Sequence, residues 1–316
     1  MLELDSATLA ERVLRLSRAP LFDRMSVEDL TLIASAGREE VVPVRTVLGR
    51  EGERASAHYV VLAGELHLGR LPELGADTTR PGVGALSVLG GAVLPGDLVA
   101  DAGSVLLVMD RDALFGVLEE HGHVARSLLR LLAARLVDAQ RLAPVTPPPP
   151  RPPPTVRLDL VSRMLTLRDA LGLGMDGMAT IARLARVARA RQYEAGSILA
   201  SEDGAADVLV LLEGSLELTS PENTARTVSP GEVLGFAQAV AGVAVDGQVV
   251  ATSDSTALVL PHRELAEDIQ DDDMLCLELI KSFAEQLWLA LKAAKFDRRL
   301  WEPQPQSEAQ VQLGGG

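Results

Sequence analysis

The chain repeats itself across its middle, and a hairpin sets the repeat. The stretch "HYVVLAGELHL" (58–68) returns as "VLVLLEGSLEL" (208–218), with Gly214 standing where Gly64 stands. Short Val/Leu runs broken by a single glycine read as two strands and a tight turn, because glycine takes positive φ without steric penalty. A hairpin that occurs twice implies a scaffold that half the chain can complete. The 316 residues are therefore read as two domains, each with its own core.

Between the copies lies "APVTPPPPRPPPT" (143–155). Proline fixes φ and removes the backbone donor, so this segment is expected to be an extended polyproline strut of about 3.1 Å per residue. A spacer is the plain reading; recognition by a partner is the other. The expected organisation is a first domain over 1–142, the linker 143–155, a second domain over 156–300 and a polar, disordered tail over 301–316.

Each half runs through the same elements. Ser26, with Asp29 three residues on, caps a short helix ahead of Leu30, Leu32 and Ile33, and Asp176 plays that part in the second half. Then come Val/Leu-rich runs interrupted by Gly, Asp and Pro, the pattern of an antiparallel sandwich. Each half closes on a helix. Leu128, Leu132 and Leu136 share a face of the first; Leu275, Leu279, Phe283, Leu287 and Leu291, flanked by Ile280 and Trp288, form the stripe of the second. The expected fold class is mainly β with flanking helices: two double-stranded β-helix (jelly-roll) domains joined by the Pro-rich linker.

Composition excludes several functions. Aromatic residues are only 3%, so aliphatic side chains must fill the cores. The net charge of −14 argues against a nucleic-acid partner, because phosphate neutralisation needs a basic face. No apolar run reaches the roughly 18 residues of a membrane span, so no membrane insertion is expected. One cysteine, Cys276, rules out an internal disulfide, and the opening residues lack the form of a signal peptide. The expected location is cytoplasmic. Scarce lysine beside abundant Ala and Leu fits a bacterial, high-GC source.

The ordered set Leu21-Phe22, Ser26, Gly52, Glu53, Tyr59 to Leu62 and Gly64, followed by "LLVMDRDAL" (106–114) and its twin "ALVLPHREL" (257–265), resembles the cyclic nucleotide-binding domain family, once per half. The resemblance implies a phosphate cassette: a Gly-Glu step opening a short helix, then an Arg about nine residues on. Helix amides and a guanidinium would meet the cyclic phosphate while the carboxylate holds the ribose. In this sequence the step falls at Gly84-Ala85 and at Gly235-Phe236, and the Arg position falls at Leu94 and at Val245. Neither half has the Glu or the Arg. A shift of one residue brings in only Pro95 or Asp246, and an aspartate would repel a phosphate. Both pockets read as degenerate, which places the cyclic nucleotide in doubt. Arg80 and Arg226, ahead of the two cassettes, are the nearby cations.

No other chemistry stands out. The family's fold is close to that of metal-binding cupins, but among the 5 histidines the one close pair, His121 and His123, lies at a helix start. A metal site would want an acid and further nitrogen ligands on neighbouring strands. Cys276 sits among leucines and aspartates, a poor setting for a nucleophile, and no G-x-S-x-G, P-loop or dinucleotide motif occurs. No enzyme activity and no cofactor are expected. The last helix has two readings. Leu279, Phe283, Leu287 and Trp288 either cover their own domain or form a seam for a protein partner or a second copy, since members of the family often dimerise here. Many members also carry a DNA-reading helix-turn-helix after this helix, and too few residues follow Trp301 for one.

The expected function is that of a non-enzymatic regulatory or scaffold protein acting by protein–protein contact. A cyclic mono- or dinucleotide sensor, binding through unusual residues, and a regulatory subunit of an enzyme are the alternatives.

Overall fold

The computed structural model describes residues 7–69, 80–142, 158–173, 178–200, 207–219, 225–245 and 247–296. The proline linker, the tail, Asp176 and Asp246 lie outside these residues. The chain divides into two compact units, Met1–Val117 with Leu291–Gly316, and Leu118–Ala290. The helix carrying Leu128, Leu132 and Leu136 thus groups with the second unit.

In the first unit, α1 (Leu9–Leu16) starts at a reciprocal cap: Glu11 N–H donates to Thr8 Oγ1 and the Glu11 carboxylate accepts from Thr8 N–H. Helix α2 (Val27–Ala36) begins as its sequence predicts, with Asp29 N–H donating to Ser26 Oγ at 3.0 Å. Strands β1 (Arg38–Val41), β3 (Ala57–Ala63), β5 (Gly82–Val83) and β7 (Val105–Asp110) form one antiparallel sheet in the order β1-β7-β3-β5. Strands β2 (Thr46–Gly49), β6 (Leu98–Ala100) and β4 (Leu66–Leu68) form a second, in that order.

The two sheets share one apolar core. Tyr59 from β3, Leu106 and Val108 from β7, Leu66 and Leu68 from β4, and Leu98 and Ala100 from β6 pack together inside it. The opposite face of the first sheet is buried as well, with His58 and Val60 of β3 and Leu107 and Met109 of β7 all at 1% exposure or less. Phe22 stacks on His58 from that side at 5.1 Å. Two buried faces give continuous apolar strands instead of alternating ones.

Helix α4 (Arg111–Glu120) follows β7, and the second unit repeats this order after α5 (Gly122–Leu142), α6 (Leu160–Leu171) and α7 (Met178–Val187). Strands β13 (Val233–Leu234), β10 (Val208–Glu213), β15 (Ser255–Leu260) and β8 (Arg189–Tyr193) form one sheet. Strands β12 (Ala225–Val228), β11 (Leu216–Thr219), β14 (Gln248–Ala251) and β9 (Ile198–Ala200) form the other. Their shared core includes Leu209, Leu211, Leu216, Val249 and Val259.

The repeated stretch is a corner between sheets and not the paired hairpin its sequence suggests: β3 pairs with β7 and β5 while β4 pairs with β6, and β10 pairs with β15 and β13 while β11 pairs with β12 and β14. The corner is the same in both units down to its irregularity. The pairing slips between Val61 and Ala63 in β3 and between Leu211 and Glu213 in β10, one residue before the glycine. Gly64 and Gly214 then take φ of +81° and +90°.

Candidate functional site

Each sheet pair carries a short helix where the sequence places the cassette: α3 (Ala85–Gly90) in the first unit and α8 (Phe236–Ala241) in the second. Glycine starts both. Gly84 has φ +103° and a Cβ there would collide with the Ala57 carbonyl, while Gly235 has φ +79°. Gly91 and Gly242 end the two helices at φ of +72° and +71°. The backbone that would present amides to a ligand is therefore built in both units.

The side chains around it are apolar. At the expected Arg position of the first unit, Leu94 is 3% exposed and belongs to the core between the sheets. Its backbone is tied down on both sides, donating N–H to Glu53 O at 2.6 Å and accepting from Gly52 N–H at 2.9 Å. At the matching position of the second unit, Val245 is 5% exposed and also in the core. Ala85, at the expected Glu position, is buried; Phe236 in the second unit is buried too, its ring 5.1 Å from that of Phe283. The carboxylate slot of that cassette is used for helix packing.

Of the two nearby cations, Arg226 is already paired. Arg226 Nη1 pairs with Glu232 Oε2 at 2.6 Å, and Glu232, whose side chain is only 11% exposed, also accepts from Ser229 N–H at 3.0 Å. Arg226 is thus neutralised by Glu232, three residues before the cassette glycine. Arg80 is half-buried, and its N–H donates to Leu66 O at 2.9 Å.

The partner helix resolves into α9 (His262–Asp271) and α10 (Asp273–Ala293). Asp272 caps α10, accepting from Leu275 N–H at 3.0 Å, and its other oxygen takes Thr180 Oγ1 and Arg183 Nη2. Burial raises the Asp272 carboxyl, but these bonds outweigh it and hold the group below its ordinary value. On α10, Leu279 and Phe283 are 0% and Leu287 2% exposed, with Trp288 half-buried. The stripe that a partner would need is consumed inside the chain. Part of what lies beside the helix comes from α5: Arg126 Nη1 is 2.7 Å from Asp273 Oδ1 and 3.4 Å from Gln270 O. Sequence periodicity could not separate a stripe covered by this chain from one left for another.

Cys276 is fully buried in α10, and burial pushes its thiol up to about 12. His121 and His123 face each other edge-on with ring centroids 5.9 Å apart. A group that the sequence reading did not assemble is Glu65, His67 and Asp101, whose ligand atoms all lie within 4.8 Å of one another. No helix among the described residues is long and apolar enough to cross a membrane.

Comparison with known proteins bears on the second unit. Residues 190–272 match the family model of the cyclic nucleotide-binding domain. No curated protein matches. Among solved structures, the regulatory domain of Toxoplasma gondii PKA with cAMP is 18% identical, over 85% of this chain and 96% of that one, with a TM-score of 0.30. The regulatory subunit of a cAMP-independent protein kinase A from Trypanosoma brucei is 14% identical, over 94% and 96%, at 0.32. A putative cAMP-binding regulatory protein from Silicibacter pomeroyi is 20% identical, over 39% and 60%, at 0.33. Similarity at this level assigns neither a fold nor a ligand to this chain.

Proposed function

We propose that this is a non-enzymatic regulatory or scaffold protein built on two tandem cyclic-nucleotide-binding-like jelly rolls, both with a degenerate phosphate cassette. One observation carries the reading: Leu94 and Val245, at the two Arg positions, are core side chains. A cyclic phosphate brought to either helix would lose its water without gaining a guanidinium, and an anion without a partner in apolar surroundings is costly. The retained glycine-bounded helices are then scaffold. Function would pass through protein contacts on the surfaces of the rolls, with no cofactor and no chemistry at Cys276.

The match over residues 190–272 favours a second reading, in which the second roll senses a cyclic mono- or dinucleotide through other residues. Calorimetric titration of the full chain with cyclic AMP, cyclic GMP and cyclic di-GMP separates the two. The scaffold reading expects no saturable heat at millimolar ligand. Stoichiometric, saturable binding to the native chain would replace it with the sensor reading.

A further inference from the structure

We propose that Glu65, His67 and Asp101 form a surface site for one divalent transition-metal ion, with Zn2+ as the natural probe. Strand geometry puts the three together. Leu66 and Leu68 of β4 point into the core at 0% and 8% exposure, so Glu65 and His67, alternating with them, face outward. Strand β6 runs antiparallel alongside, with Leu66 opposite Ala100 and His67 opposite Val99, and Asp101 N–H donates to Glu65 O at 3.1 Å. Asp101 therefore lands beside the other two.

The spacing fits a shared ion. His67 Nε2 is 3.1 Å from Asp101 Oδ2 and 3.3 Å from Glu65 Oε2. Ligand atoms held at about 2.1 Å in a tetrahedral arrangement lie about 3.4 Å apart, so both separations match edges of such a site. One imidazole and two carboxylates suit a borderline cation, and two negative charges balance a divalent one. Arg45 Nε lies 3.6 Å from Asp101 Oδ1, orienting the carboxylate by the oxygen that faces away from the cluster. The imidazole is 23% exposed and the Glu65 carboxylate 59%, so the group lies at the surface and not in the core.

The repeat shows that the fold does not require these groups. In the second unit Ser215, Glu217 and Thr252 hold the corresponding places. There Thr252 N–H and Thr252 Oγ1 both donate to Ser215 O, at 2.9 and 3.0 Å. The same corner is joined there by a threonine hydroxyl and a backbone carbonyl, with Glu217 the one ionisable side chain of the three, so the histidine and second carboxylate belong to the first unit's copy and not to the corner as such.

Equilibrium dialysis of the full chain against Zn2+, with metal counted by atomic emission, tests the site. One ion per chain is expected, with affinity falling about tenfold or more in His67→Gln and in Asp101→Asn and unchanged in a His121→Ala/His123→Ala double variant. Glu65→Gln, at a side chain 59% exposed, serves as the third variant should either of the first two fail to fold. No bound Zn2+ at 100-fold excess, or binding lost with the His121/His123 pair and kept in Glu65→Gln and His67→Gln, overturns the proposal.

Discussion

Ser104 Oγ lies 3.1 Å from both the backbone nitrogen and the backbone oxygen of Glu65, accepting from one and donating to the other. Ser255 Oγ occupies the same place beside Ser215, accepting from its N–H at 3.2 Å and sharing its own proton between Ser215 O at 3.3 Å and Ser253 O at 2.8 Å. A buried hydroxyl thus pins each repeated corner immediately after its glycine. The glycine is required twice over: its φ is left-handed, and a Cβ on Gly64 would stand 2.5 Å from Ser104 Oγ and 2.7 Å from Ser104 Cα.

Gly64→Ala is expected to lower unfolding stability by about 2 kcal/mol or more, combining left-handed strain with displacement of Ser104. Ser104→Ala strands the Glu65 amide and costs about 1–3 kcal/mol. Urea titration followed by circular dichroism measures both. A Gly64→Ala midpoint equal to that of the parent chain would refute this account of the corner.

Leu94 gives the second prediction. Its Cδ1 lies 2.6 Å from where a Cβ on Gly49 would be, so the buried side chain packs closely against that glycine. Leu94→Ala should cost about 2–5 kcal/mol through lost burial and a cavity. Leu94→Arg, which restores the residue type of a working cassette, should destabilise more and confer no nucleotide binding, because Ala85 still stands at the Glu position. Denaturation together with cyclic AMP titration of that variant checks both halves of the statement; a variant that folds normally and binds cyclic AMP contradicts the core assignment.

The order of elements was legible because strands and turns leave local marks: the glycine of each corner, the Ser26 cap and the glycines of each cassette. The helices α1 and α6 carry equally readable caps, Thr8 with Glu11 and Asp159 with Ser162. What stayed hidden depends on distant partners. A 3.6-residue stripe on α10 does not reveal that Phe236 and α5 lie beside it. The alternation that places Glu65 and His67 outward is visible in "GELHL", but Asp101 joins them only through the β4–β6 register. Chemistry assembled across strands has no spacing signature in the chain.

Cys276 supplies the third prediction. With its thiol pushed up to about 12 by burial, hardly any thiolate exists at pH 8. The native chain should therefore resist a thiol reagent such as dithionitrobenzoate, and labelling should follow global unfolding as urea is raised. Complete labelling of the folded chain at the rate of a free thiol would show the α10 packing to be wrong.

His58 supplies the last. Val83 O can only accept, so Nδ1 carries the proton in their 3.0 Å bond, and Nε2 is left as a buried lone pair without a partner among the described residues. Burial opposes the charged ring and moves it from 6.5 down to about 4, while the bond to Val83 works weakly the other way. Phe22 stacks on one face, and Gly82 packs close enough that a Cβ there would lie 3.2 Å from the ring. The unfolded chain binds a proton at 6.5 that the folded chain refuses until about 4. The neutral ring's contribution is therefore fully present above pH 6.5 and is lost progressively as pH falls towards 4, the loss of stability reaching about 3 kcal/mol below that. His58→Phe keeps the stacking and removes the titration. The difference in unfolding free energy between the parent and this variant should be constant from pH 7 to 8 and should shift against the parent between pH 6.5 and 4. A pH-independent difference across that window would mean that His58 is solvated or paired, and that the face of β3 beneath Phe22 is open to water.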